Sequence, residues 1–113
     1  METKTPCKIL QISNKFDISL THVYDYSLEI FGFLQAERYR EKVRKALYML
    51  PYRYLVHPEC RHIPTKSQMY RNIILDSHLI IYRITDLRIE VLDIVYSASG
   101  ISKIRETRKI FCD

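Results

Sequence analysis

The 113 residues predict an α+β domain, an antiparallel helical hairpin packed on a small antiparallel sheet in the order β–α–α–β–β–β. Three observations carry that expectation. Apolar residues recur at steps of three and four through residues 16–50, the period of an amphipathic helix. They cluster in short β-branched and tyrosine-rich runs between 68 and 96, as strands do. A single glycine, Gly32, divides the helical stretch in two.

Taken in order, residues 8–13 (KILQIS) read as a first strand. The period then changes, and Asn14 is the expected helix cap, with Asp17 placed near the positive helix end. Phe16, Leu20, Val23, Ser27 and Ile30/Phe31 form one apolar stripe, and Gly32 stops the helix. A second helix starts at once, with Ala36, Tyr39, Val43, Ala46/Leu47 and Leu50 as its stripe. Glu41 and Lys45 lie one turn apart in the favourable order, and Pro51 is expected to end the helix. So short a connection folds the two helices back on each other.

Residues 51–67 hold three prolines and no period, which predicts a loop. Strands are expected at 68–75, 78–84 and 88–96, with hairpin breaks at Asp76-Ser77 and Thr85-Asp86-Leu87. In the last strand one alternating set is Ile89, Val91, Asp93 and Val95; the other is Glu90, Leu92, Ile94 and Tyr96. Neither is polar throughout, so the sheet face away from the helices is expected to stand open as a partner surface. The core thus spans about 8–96. Residues 97–113 form a basic tail, where Ile101, Ile104, Arg108 and Phe111 have the spacing of a short C-terminal helix.

Composition narrows the functional classes. One domain accounts for the whole length, 1–113, and 47% apolar residues suffice for its core. The net charge of +5 is concentrated: residues 38–71 carry nine basic and two acidic side chains, +7 against −2 for the rest. Such a field favours an acidic partner, protein or nucleic acid. Cys7, Cys60 and Cys112 show no framework spacing, the opening METKTPCK is polar, and no apolar run is long enough for a bilayer. A reducing cytoplasm and no membrane partner are the expectation. His57, Glu59, Cys60 and His62 fall within six residues, but no second pair of ligands accompanies them, so neither a metal nor another cofactor is expected. Helix-turn-helix spacing, a Gly-rich phosphate loop and a G-x-S-x-G elbow are all missing from the sequence.

Two stretches carry a resemblance. Tyr24-Asp-Tyr26-Ser-Leu-Glu-Ile-Phe31-Gly32-Phe-Leu-Gln35-Ala36-Glu-Arg-Tyr39 resembles a hairpin signature: a tyrosine, an aromatic-Gly turn, Gln-Ala, and a tyrosine one turn on. His78-Leu-Ile-Ile-Tyr82-Arg83-Ile84 with 88–96 is similar to a pair of terminal strands built on an apolar-Tyr-Arg-apolar run. In this order they resemble the RelE/ParE toxin superfamily of type II toxin–antitoxin systems, closer to its ParE branch. The resemblance implies a toxin held inactive by a cognate antitoxin in a hetero-oligomer, the antitoxin's flexible segment wrapping the toxin.

The superfamily implies two targets, DNA gyrase or mRNA on the ribosome. The cleaving branch needs cations on the sheet to hold the scissile phosphate and a group to move protons. The candidates here are Arg71 for the phosphate, His78 for proton transfer, Arg83, and Tyr96 at the strand end. Each has an ordinary alternative: Arg71 as an exposed strand residue, His78 as a turn residue beside Asp76, Tyr96 as an edge aromatic. The basic residue this branch places just past the last strand is absent, since Ser97-Ala98-Ser99 stands there. The ParE-like reading makes the protein a non-hydrolytic gyrase inhibitor. Its candidates for binding target or antitoxin are Arg38, Lys42, Lys45, Arg71, Tyr82, Lys103, Arg105 and Arg108. A non-toxic protein-interaction relative would share all these features.

Overall fold

The computed structural model describes residues 8–112; Cys7 and Asp113 lie outside the described residues. Strand β1 (Ile9–Ile12) leads into helix α1 (Asn14–Phe31) and helix α2 (Phe33–Arg53). Strands β2 (Tyr70–Ile74), β3 (His78–Ile84) and β4 (Arg88–Tyr96) follow, then a short helix α3 (Ile101–Glu106) and a 3-10 turn at Thr107–Lys109. The sheet order is β1-β4-β3-β2. β2, β3 and β4 form an antiparallel meander, while β1 adds to the far edge parallel to β4. The α+β expectation holds.

Ser13, not Asn14, caps α1: its Oγ accepts the Phe16 N–H at 2.9 Å and donates to the Leu92 carbonyl at 2.6 Å. Both residues are good caps, and the bond to β4 decides between them. Gly32 closes α1 and opens α2 at φ +88°, donating its N–H to the Leu28 carbonyl at 3.1 Å. That backbone is open to glycine and strained for other residues. Pro51 does not end α2. It sits in the last turn, where it forgoes one N–H bond to the Leu47 carbonyl, and the chain leaves the helix at Tyr54. Glu41 pairs with Arg44 at 2.9 Å, one residue short of the expected Lys45.

Two cores flank the sheet. On one face Phe16 of α1 and Val43, Leu47 and Leu50 of α2 pack on Ile73, Ile80, Tyr82, Ile89, Val91 and Ile94. On the other, Cys60, Ile63, Ile104 and Cys112 pack on Ile81, Leu92 and Val95. The expected open sheet face is therefore wrong: the 54–67 loop and the C-terminal segment cover it. Two arginines hold that segment down. Arg83 donates to the carbonyls of Arg108 (3.1 Å) and Ile110 (3.0 Å), and Arg88 to that of Cys112 (2.7 Å). Glu90 bridges both, at 2.7 Å from Arg83 and 2.6 Å from Arg88.

The mixed pattern of β4 has a local cause. Ile81 pairs with Asp93 and Tyr82 with Val91, so Leu92 is an extra residue, a β-bulge. Alternation slips there by one, sending Ile89, Val91 and Ile94 to the helix side and Leu92 and Val95 to the other.

Candidate functional site

The apolar stripe of α1 is used only near its start. Phe16 is buried and Leu20 and Val23 pack on the core, but the stripe then overhangs the sheet. Tyr26, Ile30, Phe31, Phe33 and Leu34 are all exposed around the Gly32 turn, Phe31 by 62%. Scattered surface hydrophobics are ordinary, but a contiguous set on a hairpin tip marks a contact surface.

Beneath that overhang lies an open cleft of about 740 Å³. Its helical wall is formed by His22, Val23, Tyr26, Ser27 and Phe31 from α1, with Gln35 and Tyr39 from α2. Its floor is the β2–β3 turn, Asp76 and Ser77, with His78 and Tyr96. The sheet sets that floor directly, because His78 opens β3 where Tyr96 closes β4 and the two are register partners. Their rings meet edge to face at 5.8 Å and 71°. Tyr39 comes from the other side, with its hydroxyl 2.8 Å from His78 Nδ1.

Burial sets the chemistry of this trio. The His78 imidazole is held below its ordinary pKa by desolvation. The Tyr39 phenol is pushed up to about 12, chiefly by burial and then by the Asp76 carboxylate. At neutral pH both are uncharged, and the ring's tautomer sets which of the two donates. Asp76 is itself paired with Lys42 at 2.9 Å across the rim. The cleft is thus aromatic, hydrogen-bonding and without a lining cation. Such a surface suits apolar and aromatic side chains with a few oriented polar contacts.

Of the four residues that would serve a nuclease, the fold brings together two. His78 and Tyr96 share the cleft, but Arg71 and Arg83 are elsewhere and otherwise engaged. Arg71 donates to the carbonyls of Leu55 (3.2 Å), His57 (3.0 Å) and Gln68 (3.1 Å), pinning the loop to β2. Arg83 belongs to the clamp on the C-terminal segment. Tyr82 is no surface residue: it is wholly buried and donates to the Tyr54 carbonyl at 2.6 Å. As a binding candidate it is corrected to a core residue, because the regular alternation of β3 turns Ile80 and Tyr82 to the helix side and Ile81 to the other.

The remaining binding candidates are exposed. Arg38 and Lys45 stand on α2, Lys42 pairs with Asp76, and Lys103 and Arg108 lie on the tail. Arg105 reaches the His62 carbonyl at 3.3 Å. The His57–His62 run is dispersed, with Cys60 in the second core and Glu59 accepting the Thr65 N–H at 3.0 Å. Among the described residues no group of three or more His, Cys, Asp or Glu is placed to hold a metal ion. Nor is any helix among them long and apolar enough to cross a membrane.

Tyr39, His22 and Gln35 were not expected at the site. By its spacing Tyr39 counts in the core stripe of α2, although Gln35 and Tyr39 both belong to the hairpin signature that marks this turn.

Comparison with known proteins agrees with this architecture. A family model described as the ParE toxin of the type II toxin–antitoxin system parDE matches residues 10–99. A solved chain described as the chromosomal ParDE TA system from P. aeruginosa superposes with a TM-score of 0.65 at 16% identity, over 81% of this chain and 98% of that one. No curated protein matches by sequence.

Proposed function

This chain belongs to the ParE toxin family of type II toxin–antitoxin systems, and on that premise we propose that it inhibits DNA gyrase in the cytoplasm by binding, without hydrolysis. A cognate antitoxin is its neutralising partner, as the family implies. The observation that carries the non-hydrolytic reading is the separation of the nuclease candidates. His78 and Tyr96 sit in a cleft lined by no cation, while Arg71 and Arg83 spend their donors on backbone carbonyls and Glu90. Phosphoryl transfer is favoured by a cation aimed at the developing charge, and among the described residues no Lys or Arg lines this cleft.

The exposed hairpin tip and the cleft beneath it supply the seat for the antitoxin. A disordered segment that folds on binding gains most where apolar side chains enter a preformed concavity. Tyr26, Phe31 and Tyr39 offer such walls, and His78 and Gln35 offer oriented polar contacts.

The ribosome-dependent nuclease reading keeps one observation, the His78–Tyr96 pair at the end of the sheet. Two assays separate the readings. Purified protein is expected to block supercoiling by gyrase, with relief on adding antitoxin, and to leave ribosome-bound mRNA intact. Unaffected supercoiling together with cuts in mRNA would transfer the assignment to the cleaving branch.

A further inference from the structure

The outward face of α2 carries charge that the fold does not consume. Among its basic side chains, Arg40 pairs with Glu37 at 3.5 Å, Lys42 with Asp76 at 2.9 Å and Arg44 with Glu41 at 2.9 Å. Arg38, Lys45 and Arg53 are exposed, and among the described residues none of the three meets a carboxylate. Seven residues make nearly two helical turns, so Arg38 and Lys45 lie on one side about 10 Å apart. Arg53 continues the row about 12 Å further on, rotated by a fraction of a turn. Tyr48 and Tyr52 stand exposed beside the row, by 75% and 56%, with Met49 as their one exposed aliphatic neighbour on the helix.

We propose that this face binds the phosphate backbone of duplex DNA without sequence preference. A duplex presents about one negative charge per 1.7 Å, so a row of cations at any spacing finds partners. An acidic peptide would have to match the row. The Tyr48 hydroxyl is suited to donate to phosphate oxygens, which tyrosines commonly do. Residues 36–53 contain no Asn or Gln to read base edges. The larger group of exposed oily residues, which would favour a protein partner, lies at the hairpin tip around Phe31 and Leu34, with only Leu55 and Val56 exposed just past the end of α2. A stiff row on a helix meets a stiff duplex with little ordering cost, which favours the duplex over a single strand. Only Gln35 and Tyr39 of α2 line the cleft, so this face is a separate surface and the proposal stands apart from the choice of target.

The test is anisotropy of a labelled duplex of about 20 base pairs, of arbitrary sequence, titrated with the full chain at several salt concentrations. Three neutralised phosphates give a log–log salt slope of about −3, with nonspecific affinity on the order of micromolar. Replacing all three cations (Arg38→Gln, Lys45→Gln, Arg53→Gln) is expected to cost at least tenfold in affinity and remove most of the slope. A charge-matched set on other surfaces (Lys15→Gln, Arg61→Gln, Lys66→Gln) is expected to stay within about twofold of the unaltered chain. Lys45→Glu alone, a single exposed change, is expected to weaken binding several-fold. Equal losses from both sets, an unaltered affinity in Lys45→Glu, or no duplex binding at low salt would overturn the proposal. So would tighter binding to polyglutamate or to single-stranded RNA of the same length.

Discussion

The hydroxyl of Tyr39 lies 2.8 Å from His78 Nδ1, tying the middle of α2 to the first residue of β3. Burial keeps the imidazole neutral and the phenol protonated, so this bond joins two uncharged groups. Protonating His78 would put a hydrogen on Nδ1 that donates to the phenol oxygen, and would place a charge in a desolvated site. His57 is likewise held below its ordinary pKa by burial, then by Arg53 and Arg71.

Stability should therefore fall on mild acidification. Both imidazoles take up a proton more readily in the unfolded chain, whose reference value is 6.5. The stability they contribute is fully present above that value and is lost as pH drops through their lower folded values. The urea midpoint is expected to decline between about pH 7.5 and 5. His78→Asn should flatten part of that decline, and Tyr39→Phe should cost about 0.5–1.5 kcal/mol at neutral pH. A midpoint that does not move with pH in the unaltered chain would count against buried neutral imidazoles.

The two glycines should respond unequally to alanine. Gly32 has φ +88° with nothing within 4 Å of a built Cβ, so the penalty is one of backbone strain and not of crowding. Gly32→Ala is expected to destabilise by about 1–3 kcal/mol. Gly100 has φ −63° and equally open space but caps α3, where alanine is the poorer cap, so the gain of about 0.4–1 kcal/mol through the unfolded state is offset and alanine should be nearly neutral. Urea unfolding of the two variants side by side checks the difference.

What could be read from the sequence followed local rules. The ends of β3 and β4, the Gly32 turn and the α2 stripe of Ala36, Val43, Leu47 and Leu50 came from period and punctuation alone. What could not be read needed contacts between distant residues. The bulge at Leu92 disguised β4 because alternation assumes a regular ladder. The C-terminal segment looked free because its anchors are arginines of β3 and β4, more than twenty residues away. The cleft escaped for the same reason: Tyr39 and His78 are 39 residues apart and meet only once the hairpin lies on the sheet.

Antitoxin binding should be sensitive at the tip and insensitive at the far edge. Phe31→Asp places a charge at the cleft mouth, and Tyr39→Ala removes a wall and the His78 contact. Each is expected to weaken the toxin–antitoxin complex by tenfold or more, about 1.4 kcal/mol or above. Leu87→Asp alters an exposed residue in the β3–β4 turn, away from the cleft, and should leave affinity within about twofold. Titration calorimetry of purified toxin variants with antitoxin gives the comparison. Equal losses at all three positions would remove the cleft from the interface.

The clamp on the C-terminal segment depends on one carboxylate. Burial alone would raise the Glu90 pKa, but hydrogen bonds and charge from Arg83 and Arg88 outweigh it and hold the group below the ordinary carboxylate range. Its contribution is fully present above the unfolded value of about 4.5 and is lost as pH falls through the lower folded value, a window separate from that of the histidines. Glu90→Gln leaves two arginines facing each other without a counter-charge, one of them nearly buried. Removing one member of a buried pair costs about 3–5 kcal/mol, and the part exposure of Arg88 puts this case at the low end. Because those arginines also hold the carbonyls of Arg108, Ile110 and Cys112, loosening should begin in the tail. Limited trypsin digestion is expected to cut at Arg108 and Lys109 faster in Glu90→Gln at urea concentrations where the rest of the chain stays folded. An unchanged cutting rate there would mean that the second core, through Ile104 and Cys112, holds the segment without help from the clamp.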